Sequence, residues 1–255
     1  MKSLAILVAR DGRLIGRGAW IALLALSLLL ALWAGIWGMA AVQEALAERQ
    51  WQRWVDAGFP PDSDEDAWST VIGLLEHALA LDPDHPGRLA RLGDLYRMRA
   101  ERVAGAPERM LELRGQAVAA YERSLLLRPV SAETWINLAG ERARLPNPDW
   151  QQVSRDLERG YVLGPWERGT LLRGVRLGLL YEKRLDAALR RQVEDLAGRA
   201  LLRYPHTTMP LLLRHGRLVR FADLYNQDPR LKKMAERLLA APRPAPSTPA
   251  PARKP

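Results

Sequence analysis
Hydrophobic and polar positions divide the chain into one continuous apolar run and a long series of helical alternations. Gly18 to Val42 is 25 residues without a charge. As a helix at about 1.5 Å per residue, that run exceeds the roughly 30 Å hydrocarbon core of a bilayer. Trp20 sits where an interfacial ring belongs, and Ala31 with Gly35 forms a small-xxx-small pair able to seat a second helix. The helical pattern continues beyond the run, with Val42, Leu46, Trp51, Trp54 and Val55 near one face, and stops at Gly58 with Pro60-Pro61. From residue 67 the periodicity predicts helices over 67–81, 86–103, 108–128, 132–144, 150–163, 166–183, 186–203, 208–226 and 229–240. Asp84, Ser131, Thr208 and Asp228 stand ahead of helix starts as capping oxygens. The acidic run Asp62–Asp66 reads as the N-terminal cap of the first of these helices, since an EF-hand's Gly and Glu are missing from their positions.

The punctuation of the array is the next layer. Pro83, Pro129, Pro165 and Pro205 each follow a helix, at spacings of 46, 36 and 40 residues. Ala78 precedes Pro83, and Leu89, Leu92, Gly93 and Tyr96 follow it. Ala117, Tyr121 and Ser124 precede Pro129, and Trp135, Leu138 and Ala139 follow it. Gly178, Tyr181, Ala200 and Pro205 mark a further, looser copy in which three residues are inserted. This arrangement resembles the tetratricopeptide consensus, a 34-residue hairpin of helices A and B in which small residues allow close approach and large ones fill the gaps. The 46-residue spacing predicts a lengthened helix A and a longer turn around Gly105-Ala106-Pro107. The fold class expected is all-α: a single N-terminal transmembrane helix plus a divergent tetratricopeptide-like helical-hairpin solenoid. Its organisation is a basic segment 1–17, a membrane helix 18–42, a juxtamembrane helix and acidic linker 43–66, a repeat domain 67–239 and a Pro-rich tail 240–255. In such repeats Trp135 and Trp166 are either core or stacking platforms, and Asn137 is a groove candidate for a peptide backbone.

Composition narrows the chemistry. Residues 1–17 carry a net +3, which by the positive-inside rule places the N-terminus in the cytoplasm and everything after Val42 on the exported side. Cleavage as a signal peptide is the alternative, although the apolar run is longer than the usual 7 to 15 residues. The overall net charge of +9 is uneven: residues 43–167 sum to −6 and residues 168–239 to +9. The basic half reads first as a solvated Arg-rich helical surface, with anionic lipid or an anionic polymer as the alternative, and it lacks the basic stripe with aromatic platforms that nucleic acid would require. Cysteine is absent, and His77, His85, His206 and His215 are not at metal-ligand spacing. No nucleophile, phosphate-loop or metal motif stands out, so no catalytic residue, metal or cofactor is expected. Glu76 and Glu122 read as partners of neighbouring Arg on helix surfaces.

The plan of one anchor followed by a degenerate repeat region resembles the VpsP-type proteins of bacterial exopolysaccharide biosynthesis. The resemblance rests on the apolar run, Ala78–Tyr96, Ala117–Leu138 and Leu163-Gly164-Pro165-Trp166-Glu167. It implies a single-pass protein of the bacterial inner membrane with a periplasmic repeat domain. That domain would be a non-catalytic scaffold for polymer assembly or export, with protein partners and anionic polysaccharide as ligands. A peptide-binding assembly module, as in secretion or cytochrome maturation, and a glycan hydrolase are the competing expectations.

Overall fold
The computed structural model describes residues 12–60 and 63–240, with side chains from residue 19 onward. The basic segment over 1–11 and the tail from 241 lie outside the described residues, as does the Pro61–Asp62 step of the acidic linker. Every described element is helical, with no strand among the described residues.

Helix α1 spans Gly12–Ala57 without a break. It is the one described helix long and apolar enough to cross a membrane, with a mean hydropathy of 2.3 over its most apolar window and none of that window buried. A core helix of a soluble protein would hide such side chains; here Trp20, Leu28 and Trp33 are exposed around the whole circumference. The helix ends at Gly58, whose φ of +98° is open to glycine and strained for any other residue.

Two compact units divide the chain after Leu127. In the first, the end of α1 pairs with α2 (Glu65–Leu81), and α3 (Pro86–Ala100) pairs with α4 (Pro107–Leu127). Aromatic residues dock α1 onto α2: the rings of Trp54 and Trp68 lie 4.9 Å apart, and Phe59 packs against Trp51 and Trp54. Of the predicted face Trp54 is buried and Trp51 partly buried, whereas Val42, Leu46 and Val55 are exposed; Ala47, outside that set, is buried. Asp64 caps α2, its Oδ1 accepting from the Ala67 amide at 3.1 Å. The cap of α3 is His85, whose Nδ1 accepts from the Arg88 amide at 3.2 Å; the expected Asp84 lies one residue too early. The long repeat spacing is absorbed by the turn around Gly105 and by the 21 residues of α4. Helix A, expected to be the lengthened one, has only 15 residues.

In the second unit, α5 (Ala132–Arg142) pairs with α6 (Trp150–Leu163), and α7 (Val175–Leu180) pairs with α8 (Ala187–Arg203). Helix α9 (Pro205–Arg214) packs on α8 and on α11 (Pro229–Ala240), with the short α10 (Ala222–Tyr225) between. The helix expected over 166–183 is interrupted by a π-helical turn, Thr170–Gly174, ahead of α7. A π turn holds extra residues within a helix, and it falls in the copy whose consensus match needs an insertion. The helix expected over 208–226 ends at Gly216, where φ is +67° and the Arg217 amide reaches back to the Leu212 carbonyl at 2.8 Å. That six-to-one bond closes a Schellman motif. Thr208 is no cap: α9 starts at Pro205, and the Thr208 hydroxyl donates to the Ala200 carbonyl at 3.1 Å. Ser131 precedes α5 as expected, with its hydroxyl bonded to that of Thr134 at 2.7 Å instead of to an amide. Asp228 does cap α11, accepting from the Arg230 amide at 2.7 Å.

The hairpins share one packing rule. Five residues ahead of each punctuating proline stand Ala78, Ser124, Gly160 and Ala200, all buried. At Gly160 an added Cβ would come within 2.6 Å of Ile136 on the facing helix. Small side chains here let helices A and B of one hairpin touch, which is the tetratricopeptide principle. All-α topology, one long N-terminal apolar helix and pairing of consecutive helices are therefore the architecture of this chain.

Candidate functional site
The residues picked out by repeat spacing are buried in helices, half-buried, in turns or at a helix start. Leu92, Ala117, Tyr121, Trp135, Leu138, Gly178 and Ala200 are buried, as is Gly93. Gly93 faces Tyr121: a Cβ at residue 93 would lie 2.6 Å from the Tyr121 ring. Gly178 faces Val193 in the same manner. Pro83, Pro129 and Pro165 lie in turns, with the Pro83 and Pro129 carbonyls accepting from Arg123 at 2.9 Å and from the Trp135 indole at 2.8 Å. Pro205 is the first residue of α9. Tyr96 is half-buried, and its hydroxyl donates to Glu76 at 3.0 Å, so Glu76 is partnered by a phenol.

Trp135 is buried under the guanidinium of Arg159, 4.6 Å from its ring centre. Trp166 is exposed and lies beneath Arg199 at 4.7 Å. Asn137 is buried in α5, and its side-chain oxygen accepts from Arg173 of the π turn. Asn137 thus orients a guanidinium that also lies 3.9 Å from Glu133.

A groove of about 700 Å³ opens on the second unit between the first turns of α6 and α8. Trp150, Gln151, Arg155, Arg184, Asp186 and Gln192 contribute to its walls. Local capping builds both rims. Asp149 accepts from the Gln151 and Gln152 amides at 2.9 and 3.2 Å and starts α6 with Trp150 at its first position. Asp186 accepts from Leu189 at 2.8 Å and starts α8. The Trp150 ring is held by Tyr181 at 5.2 Å and by the Arg184 guanidinium at 5.6 Å. Gln152 aligns Arg155 through a 2.8 Å bond.

Behind the groove, Asp156 is fully buried and bound by Arg142 and by Gln152. Burial pushes its carboxyl up from the ordinary range, against the opposing pull of Arg142. The arrangement offers an aromatic ring, two guanidinium groups, the carboxylates of Glu158 and Asp186, and two amides in an open trough. That is chemistry for holding a polar chain through hydrogen bonds, with charges of both signs available. Repeat spacing had no means of finding these residues. Trp150 and Arg184 lie outside the consensus positions and meet because α6 packs against α8.

No protein-family model matches this chain, and no curated protein matches it in sequence. Its residues and their packing make it an all-α helical-repeat protein with one membrane-associating N-terminal helix.

Proposed function
We propose that this chain is a non-catalytic scaffold of the bacterial inner membrane. In this reading α1 crosses the bilayer once with a cytoplasmic N-terminus. The periplasmic hairpins hold components of exopolysaccharide polymerisation or export. One observation carries the reading: the apolar helix runs unbroken into the first hairpin, where Trp54 packs on Trp68. A continuous helix transmits the orientation of the membrane segment to the hairpin, as an assembly platform needs and a flexible tether cannot provide. The groove at Trp150 is the site this reading assigns to the polysaccharide, with the indole against a sugar ring and Arg155 and Arg184 placed to meet its acidic groups beside the groove's own Glu158 and Asp186.

Deleting the protein should abolish or shorten the polymer while sugar-nucleotide precursors persist; polymer of unchanged amount and length would reject the proposal. Trp150→Ala in the full chain should weaken binding of a uronate-containing oligosaccharide about tenfold, the scale of one stacking contact. The peptide-binding alternative has less support, because Asn137 is already engaged by Arg173. A hydrolase reading would draw on Glu158 and Asp186, which also line the groove. Asp186 is committed to capping α8, and new reducing ends after incubation with polymer would favour that reading over the scaffold.

A further inference from the structure
Two ion pairs fix the level of the first unit along α1, Arg88 with Glu44 and Arg91 with Glu48, each at 2.9 Å. Arg88, buried at the start of α3, donates to Glu44 at 2.9 Å and to Asp82 at 2.7 Å. Glu44 is two residues past the last position of the uncharged run. The α2–α3 turn is therefore pinned to α1 where the apolar segment ends, and Ala40, inside that run, is fully buried. Helix α4 returns antiparallel to α3: Tyr121 donates to Asp94, and Ser124 to the Pro86 carbonyl, each at 2.8 Å.

Registers can then be read off. Pro86 lies two residues before Arg88, and Leu126 two residues beyond Ser124. At 1.5 Å per residue, the short Ser124 bond places Leu126 about 6 Å closer to the apolar segment than Glu44, and the bond through the longer Tyr121 side chain places it about level with Glu44. Leu126 is 83% exposed and Leu127 beside it is exposed as well. A single exposed Leu is ordinary on a soluble surface. These two lie where the apolar run of α1 ends, between the levels of Glu44 and Ala40, on the helix end that points back towards it. The charged groups of the turn are paired, Asp82 with Arg88 and Asp84 with Arg123 at 3.9 Å. Arg123 is half-exposed one turn before Leu127, where it is held by the Pro83 carbonyl at 2.9 Å and by Asp84 at 3.9 Å.

We propose that the end of α4, through Leu126 and Leu127 with Arg123 above them, is a second membrane contact that seats the first unit in the lipid interface. The occupant is the headgroup and upper acyl region of the bilayer, reached by continuity with α1. The unit thus sits against the membrane at two points, and its tilt about α1 is restricted. This inference rests on the Gly18–Val42 run spanning the bilayer.

The absence of cysteine allows a direct test in the full chain reconstituted into phosphatidylethanolamine–phosphatidylglycerol vesicles. Leu126→Cys, Glu108→Cys and Leu28→Cys are each labelled with an environment-sensitive nitrobenzoxadiazole fluorophore and exposed to nitroxide lipids of shallow and deep placement. The expected result is loss of most emission from position 28 with the deep quencher. Position 126 should show a blue shift and loss of emission with the shallow quencher. Position 108, about 27 Å away along α4, should respond to neither. Quenching at 28 with water-like, unquenched emission at 126 overturns the second contact and leaves the span intact. Failure to quench position 28 removes the span and the contact together. Emission at 126 that is blue-shifted yet indifferent to nitroxide lipid assigns the patch to a protein neighbour and overturns the lipid assignment.

Discussion

At the scale of single residues, close packing explains why certain positions admit no alternative. Gly93 lies against the Tyr121 ring, so Gly93→Ala forces a methyl group into space already filled. The expected cost is about 1–3 kcal/mol in a denaturant melt of the detergent-solubilised protein, the range for overpacking. Gly115 is the control, being a helical glycine with nothing near its would-be Cβ. Gly115→Ala should gain about 0.5–1 kcal/mol from backbone entropy alone. Titration gives a second test. Burial, then the nearby Glu76 carboxylate, pushes the Tyr96 phenol up from 10.0 to about 12. The folded protein therefore holds this proton after the unfolded chain has lost it, so the contribution of Tyr96 is complete below about pH 10 and is lost as pH rises through about 12. Melting temperature should fall over that window, and Tyr96→Phe should flatten the slope; an unchanged slope would assign the alkaline loss elsewhere.

At the scale of elements, the joint between α1, α2 and α3 depends on one buried guanidinium. Arg88 neutralises Glu44 and Asp82 and is 4% exposed. Arg88→Gln leaves Asp82 enclosed without its cation, and the expected loss is about 3 kcal/mol, the cost of breaking a buried pair from one side. Arg91, which pairs with Glu48 at 2.9 Å on a more open surface, should cost under about 1 kcal/mol when replaced by Gln. The contrast can be read from parallel unfolding curves. Irregular elements follow the same logic of satisfied backbone groups. The π turn ends at the Gly174 carbonyl, which accepts from the buried Tyr161 hydroxyl at 2.8 Å. Helix α9 carries Pro210 in its interior, although a proline amide has no hydrogen to donate.

At the scale of the whole molecule, the continuity of α1 is the property with consequences for function. A four-residue Gly-Ser insertion after Val42 should leave the α1–α2 packing at Trp54 and Trp68 in place while freeing the unit from the orientation of the membrane helix. If orientation matters to the assembly, polymer length or yield falls although the inserted protein is present at normal level and melts at the normal temperature. Unaltered polymer from the inserted protein would mean that anchoring alone suffices.

Helical class, the apolar run and the hairpin spacing were legible from sequence because each is a local signal. A charge-free stretch of sufficient length has few alternatives, and a small residue at a fixed distance from a proline states how closely two helices approach. Ala78, Tyr121, Leu138 and Ala200 could be picked out this way before any contact was known. Two helices were drawn too long because periodicity continues through a π turn and across Gly216, and only backbone geometry shows the break. Pairings of distant charges were beyond reach for the same reason. Arg88 meets Glu44 across 44 residues, and Arg184 meets the Trp150 ring across α6, the π turn and α7. The groove exists because α6 and α8 are packed side by side, and the exposed pair Leu126 and Leu127 lies near the end of the apolar run because α4 runs back antiparallel to α3. Local pattern determines which helices form and how tightly neighbours can touch; the tertiary structure alone decides which side chains are thereby gathered at one place.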